Sequence, residues 1–421
     1  MEIETLKRSH LKRNILIAVI VVLIISAVIL NFTRARYRVT QSIPLVNGVI
    51  NYTPYDLKLV AMYQQNDDGE YVSIDEVPDS GYSLSTINSY CEVNDTKDES
   101  IQIEYQDGII NVLGMNQKGT KCYLYFDIKL TPATEVIEGL YEDNQDILVY
   151  DETDDGNLRY MGANPDNYVY FNCSDYSNPN SNTCELWRII GVFDENTHGI
   201  SGQKLVKLIR NDSLGNMAWL TSNNNWSTAS LQQTLNDDYY NRTRSYSSTG
   251  ITSSTRRLIE TVIWKLGTKP KGENIMSPKS WYEYERGSET YGSNPTTWEG
   301  KIALMYPSDF GLATSGGTST NRSSCVVRYM DVNGWGNTNG RYDDCKNNDW
   351  LYDNSNAQWT LTHSINYSNY VYAVLNDTFG GAVSNHAGSS DYAVYPTIYL
   401  TSNTAITGGT GTQSDPFTLQ G

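Results

Sequence analysis

The sequence predicts an α+β protein: an N-terminal transmembrane helix, a small antiparallel β domain, and a larger domain of short strands, few helices and long loops. Three observations carry this. One apolar run, ILIAVIVVLIISAVIL from Ile15 to Leu30, stands apart from everything after it. Short alternating segments divided by turn signals fill residues 37–131, and beyond residue 150 apolar segments alternate with long polar ones.

The apolar run places a membrane helix at residues 14–32. At about 1.5 Å per residue it nearly spans a hydrocarbon core of about 30 Å. A signal peptide would share the basic Lys7, Arg8, Lys12 and Arg13, but its apolar region is shorter, about 7–15 residues. Residues 1–13 are then a cytoplasmic tail, and the rest an extracellular portion of a single-pass plasma-membrane protein whose partner through this helix is the membrane. The chain carries −17; residues 1–13 contribute +2 and Arg34, Arg36 and Arg38 add +3, leaving −22 for residues 39–421. Such acidity repels phosphates, so nucleic acid is excluded as a partner.

Residues 33–131 read as a β-sandwich-like stalk. YDLKLVAMYQ, EYVSIDEV, SIQIEYQDGIINVLG and KCYLYFDIKL alternate, with turns at NDDG, DSG and QDG. Ile101, Ile103 and Tyr105 share a face, and Leu124 and Phe126 offer its match. Residues 132–149 are polar and acidic, as in a linker. In residues 150–421, helices are expected at Ser230–Tyr240 and Ser253–Leu266.

Six cysteines in an exported chain read as three bridges, and their positions fall into local couples: Cys91 with Cys122, Cys173 with Cys184, and Cys325 with Cys345. The chain has no CxxC, and its four histidines are scattered, which leaves zinc and thiol redox chemistry without a motif. Tyrosine outnumbers phenylalanine 32 to 7, a bias toward rings with one wet end that suits either a contact surface or half-exposed sheet positions.

Several segments of the larger domain resemble a family of Gram-positive bacterial surface proteins of unknown function: NLRYMGANPDNYVYFN (157–172), ELWRIIGVF (185–193), IRNDSLGN (209–216), GKIALMYPSDFGLATSGG (300–317), CKNNDWLYD (345–353), QWTL (358–361) and VYPTIYLTSNTAITGGTGTQSDPFTL (394–419). The resemblance implies a C-type-lectin-like domain, of the broad group that includes formylglycine-generating-enzyme-like domains, over 150–421. One position departs from it. Where similar chains carry V-R-P-V, this one has Val394, Tyr395, Pro396 and Thr397, with Tyr395 in place of the arginine.

The stretch Cys325–Asp353 is the candidate binding loop. Trp335, Tyr342 and Trp350 can stack on a ligand, and Asn339, Asp343, Asp344 and Asn348 can hydrogen-bond to it. The opposing reading puts Trp350 and Leu351 in the core with the acids merely solvated. Calcium has weak support: Asp331 and Asn333 start like an EF-hand loop, but Trp335 takes the next ligand position and no glutamate closes it. No cofactor is otherwise implied. GxSxG, HExxH and phosphate loops are absent, and acid pairs such as Glu283 and Glu285 are common in so acidic a chain. The expected function is therefore non-enzymatic adhesion to a glycan or protein ligand; the alternatives are a structural envelope component or a metal-dependent enzyme of the formylglycine-generating type.

Overall fold

The computed structural model describes residues 50–51, 57–66, 69–78, 81–106, 109–114, 119–220, 223–331, 334–336, 339–353, 355–375, 382–386 and 392–420. The chain divides into two compact units, Met1–Lys129 and Leu130–Gly421. Among the described residues the protein is mostly β, which corrects the α+β, C-type-lectin-like expectation. The longest described helix has nine residues, because segments rich in Asn, Asp, Ser and Thr bond to their own backbone instead of extending helices. No described helix is long and apolar enough to cross a membrane. The single-pass plasma-membrane placement is therefore unsupported, and the 14–32 segment and residues 1–13 lie outside the described residues.

The first unit holds β1 (Ile50–Asn51), β2 (Leu57–Gln65), β3 (Tyr71–Ile74), β4 (Tyr82–Leu84), β5 (Tyr90–Val93), β6 (Thr96–Lys97), β7 (Gln102–Gln106), β8 (Ile109–Leu113) and β9 (Thr120–Ile128). They form a three-stranded sheet, β1-β8-β7, and a six-stranded one, β3-β2-β9-β5-β6 with β4 also on β9. The expected all-antiparallel pairing does not hold, since β2 runs parallel to β9 and β1 to β8. Alternation on β9 buries Cys122, Leu124 and Phe126 on one face, and Ile101, Ile103 and Tyr105 pack on the same cluster. Cys91 and Cys122 stand directly opposite each other on β5 and β9, 4.1 Å apart at Cα, and are bridged.

In the second unit, residues 132–149 are not a linker. They fold into α1 (Ala133–Leu140), because Ala133, Ile137 and Leu140 fall on one helical stripe that packs on the core. The main sheet runs β10 (Leu148–Tyr150), β11 (Leu158–Tyr160), β13 (Glu185–Phe193), β14 (Leu205–Arg210), β22 (Thr397–Tyr399), with β12 (Tyr168–Phe171) also pairing β13. A second sheet orders β15 (Asn216–Met217), β21 (Tyr392–Ala393), β18 (Gln358–His363), β19 (Tyr370–Val374) and β20 (Ala382–His386). Two hairpins complete the unit: β16 (Val262–Lys265) with β17 (Thr297–Gly300), and β23 (Ala405–Gly408) with β24 (Thr418–Gln420). The helix expected over Ser253–Leu266 stops at Arg256, and its β-branched Val262 and Ile263 join β16 instead. Cys173–Cys184 and Cys325–Cys345 are both bridged.

A buried charge network ties the main sheet to two short helices, α2 (Pro278–Arg286) and α3 (Pro307–Leu312). Arg159 on β11 pairs with Asp151 at 2.5 Å and with Asp309 at 2.9 Å, and Lys207 on β14 pairs with Asp309 at 2.5 Å. Asp309 also accepts from Tyr306 N–H at 2.9 Å, while Glu285 accepts from Ser308 N–H at 2.9 Å. Two carboxylates thus satisfy open N–H groups where α3 begins. Burial alone would raise the Asp309 pKa, but Lys207 and Arg159 outweigh it and hold it down at about 2. Burial lowers Lys207 to about 8 despite Asp309.

Asp309→Ala leaves two buried cations short of their shared partner. It is expected to cost about 3–5 kcal/mol in urea unfolding, against about 1 kcal/mol or less for Glu138→Ala, which breaks the exposed pair with Lys204. Similar losses for the two would remove the network as a main support of the fold.

Burial lifts the Glu285 carboxyl to about 7 from 4.5, opposed by the Arg286 guanidinium and by the Ser308 hydrogen bonds. The native state then binds this proton more tightly than the unfolded chain. The stability it contributes is complete below about pH 4.5 and is lost as pH rises through about 7. Wild type should lose on the order of 3 kcal/mol relative to Glu285→Gln across this window. Parallel pH profiles for the two proteins would exclude Glu285 as the source.

Candidate functional site

The structure buries the two tryptophans of the expected binding loop. Trp335 is fully buried, its Nε1 donating to Cys325 O at 3.1 Å and its ring 5.5 Å from that of Phe310. Trp350 is 8 % exposed, and its Nε1 donates to Tyr160 O at 3.0 Å. Both indoles are core residues whose polar handle meets a backbone carbonyl. In α4 (Asp343–Asn347), Asp343 pairs with Lys346 at 3.5 Å. Asp344 accepts from Ser319 N–H at 2.6 Å and Thr320 N–H at 3.0 Å, pinning the neighbouring loop. Asn348 donates back to Asp344 O at 3.1 Å. Half-buried Tyr342 stacks under the Arg328 guanidinium at 4.6 Å, and Asn339 is exposed. Two of the seven are thus core residues, while the other five are half-buried or exposed. Of the seven, Trp350 alone lines the recess described next.

Among the described residues no group of three or more His, Cys, Asp or Glu side chains is placed to hold a metal ion. Asn333, half of the expected calcium pair, lies outside the described residues. The buried acid of this stretch is Asp349, whose Oδ1 accepts from Leu351 N–H at 3.0 Å while Oδ2 has no partner. Burial pushes its pKa well above the usual carboxylate range, against the pull of that hydrogen bond and of Arg322.

A recess of about 220 Å³ opens in the second unit between the ends of β13 and β14 and the segment leading into β18. Its walls include Arg188, Arg210, Trp350, Asp353, Gln358 and Tyr395. Register explains how a charged strand residue reaches it. Arg188 stands opposite Ile209 on β14, and Ile209 shares a sheet face with Lys207 two residues earlier. The face that carries the buried network therefore continues into the recess. Arg188 lies 4.2 Å from the Tyr168 ring and 4.4 Å from the Trp350 ring. Arg210 pairs with Glu185 at 3.1 Å.

Tyr395 donates its hydroxyl to Asp353 at 2.7 Å. Asp353 also accepts from Ser355 N–H at 2.7 Å and from the Asn356 side chain at 2.9 Å. Burial raises its pKa, but these hydrogen bonds outweigh it, so the carboxylate stays ionised at neutral pH. Gln358 donates Nε2 to Leu351 O at 2.5 Å. Sequence reasoning missed Arg188 because it sits inside ELWRIIGVF, a segment that reads as core. The available signal was a guanidinium in the middle of an apolar strand.

The chain matches no family model, no curated protein and no solved structure. The family resemblance is therefore carried by the sequence motifs alone.

Trp335→Ala is expected to cost about 3–5 kcal/mol of stability, whereas Tyr342→Ala should cost about 1 kcal/mol or less. Equally small losses in denaturant unfolding would return Trp335 to the surface platform.

Proposed function

We propose that Leu130–Gly421 is a binding domain, in a chain matured in an oxidising compartment, and that the recess beside Trp350 and Tyr395 holds one residue of a glycan ligand. The observation that carries this reading is the recess itself: aromatic rings and unlike hydrogen-bonding groups meet around one small concavity. Its volume of about 220 Å³ is below the about 300–1,000 Å³ of sites that enclose a drug-sized ligand. It suits the end or a side branch of a larger molecule. Sugars need this mixture, with ring C–H faces on aromatic carbon and hydroxyls on amide and carboxylate oxygens. The three disulfides support the compartment, since such bridges persist where thiols are not kept reduced.

The test is a glycan array probed with the full oxidised chain and with Tyr395→Ala. Specific binding that weakens at least ~10-fold in the variant, with unchanged circular dichroism, is expected, since one well-placed contact contributes about that much. A blank array, or binding indifferent to Tyr395→Ala, would overturn the assignment.

A further inference from the structure

Taking the recess to be the binding site, we propose that the sugar it accepts is acidic, a uronate or sialate residue whose carboxylate is bound by the guanidinium of Arg188. Arg188 is 8 % exposed. Its Nε donates to Asn167 Oδ1 at 2.8 Å, and its Nη2 donates to Pro165 O at 3.2 Å and Asn164 Oδ1 at 3.3 Å. All three acceptors are neutral. Nη1 makes no hydrogen bond among the described residues, and no described carboxylate pairs with this side chain.

The fully buried cations of the unit are treated differently: Arg159 and Lys207 both pair with a carboxylate. Lys269, 8 % exposed like Arg188, donates to the Glu273 carbonyl. A desolvated cation without a counter-ion is costly, and the Tyr168 and Trp350 rings offset only part of that cost. Burial lowers the Arg188 pKa to about 10, with Tyr168 opposing, which still leaves it charged at neutral pH. The side chain lines an open concavity, so the missing negative charge has a route in.

The remaining groups select a sugar acid over a bare anion. Asp353 on the same wall disfavours negative charge beside it but can accept from a hydroxyl, so a ligand that carries its carboxylate at Arg188 and a hydroxyl at Asp353 fits better than an anion charged on every side. Gln358 commits its Nε2 to Leu351 O and keeps its Oε1 as a further acceptor. A ring with one carboxylate and several hydroxyls satisfies Arg188, Asp353 and Gln358 together. A planar carboxylate also suits the guanidinium fork, which lysine would not reproduce.

Titration calorimetry on the full oxidised chain tests this with five probes: methyl glucuronoside, methyl glucuronamide, methyl glucoside, the methyl glycoside of N-acetylneuraminate, and acetyl-glycyl-glycine. At least one acidic sugar should bind ~10-fold or more tighter than the amide and the glucoside, the size of one charge-assisted pair. Arg188→Gln should erase that preference, and Arg188→Lys should restore part of it. The amide comparison uses unaltered protein, so it decides the matter even if Arg188→Gln fails to fold. Amide or glucoside binding as tightly as the acid, with sensitivity to Tyr395→Ala, would overturn the acidic assignment and leave the recess as a glycan site. Binding of the dipeptide alone would assign Arg188 to peptide carboxylates instead, and binding of none of the five would overturn both proposals.

Discussion

The second unit is organised around Asp309, a buried carboxylate shared by Arg159 and Lys207. Both cations sit on main-sheet strands, and the acid sits in the first turn of α3, so the network fixes helix against sheet. Each partner is costly alone and tolerable together, because desolvation of a charge is offset only by another charge at hydrogen-bonding distance. Apolar packing of Phe193, Trp264, Tyr306 and Tyr399 surrounds the group and excludes the water that would weaken it. Glu285 extends the arrangement to α2 through Ser308.

The same sheet face explains the recess. β14 puts Lys207 and Ile209 on one side, and β13 sets Arg188 opposite Ile209. Moving along that face from the network to the strand ends passes from cations with carboxylate partners to one without. The difference is access, since Lys207 is enclosed while Arg188 borders open space. A fold that already stabilises charge in its interior can present a guanidinium to a ligand on a rigid strand, with little ordering left to be done on binding.

Much of the first unit was legible because its signal is local. Period-two alternation on β9 marks Cys122, Leu124 and Phe126 as core, and cysteine spacing marks the three bridges. In the second unit the decisive relations are long-range. Tryptophans amid Asn and Asp resemble a platform, yet Trp335 and Trp350 bury their rings because Cys325 O and Tyr160 O receive their N–H groups. Val262 and Ile263 fit a helical stripe, but pairing with Thr297–Gly300 decides for a strand. Ala133 and Ile137 are lost in an acidic segment until the core they cover is known. Arg188 reads as one polar residue in an apolar strand, and only the sheet register shows that it meets a concavity.

A crystal structure of the oxidised chain with methyl glucuronoside bears most directly on the recess as a site for an acidic sugar. The expected result is a ring in the recess beside Tyr395 with its carboxylate at hydrogen-bonding distance from the Arg188 guanidinium. A sugar bound elsewhere, or a recess closed by another side chain of the protein on Arg188, would contradict it.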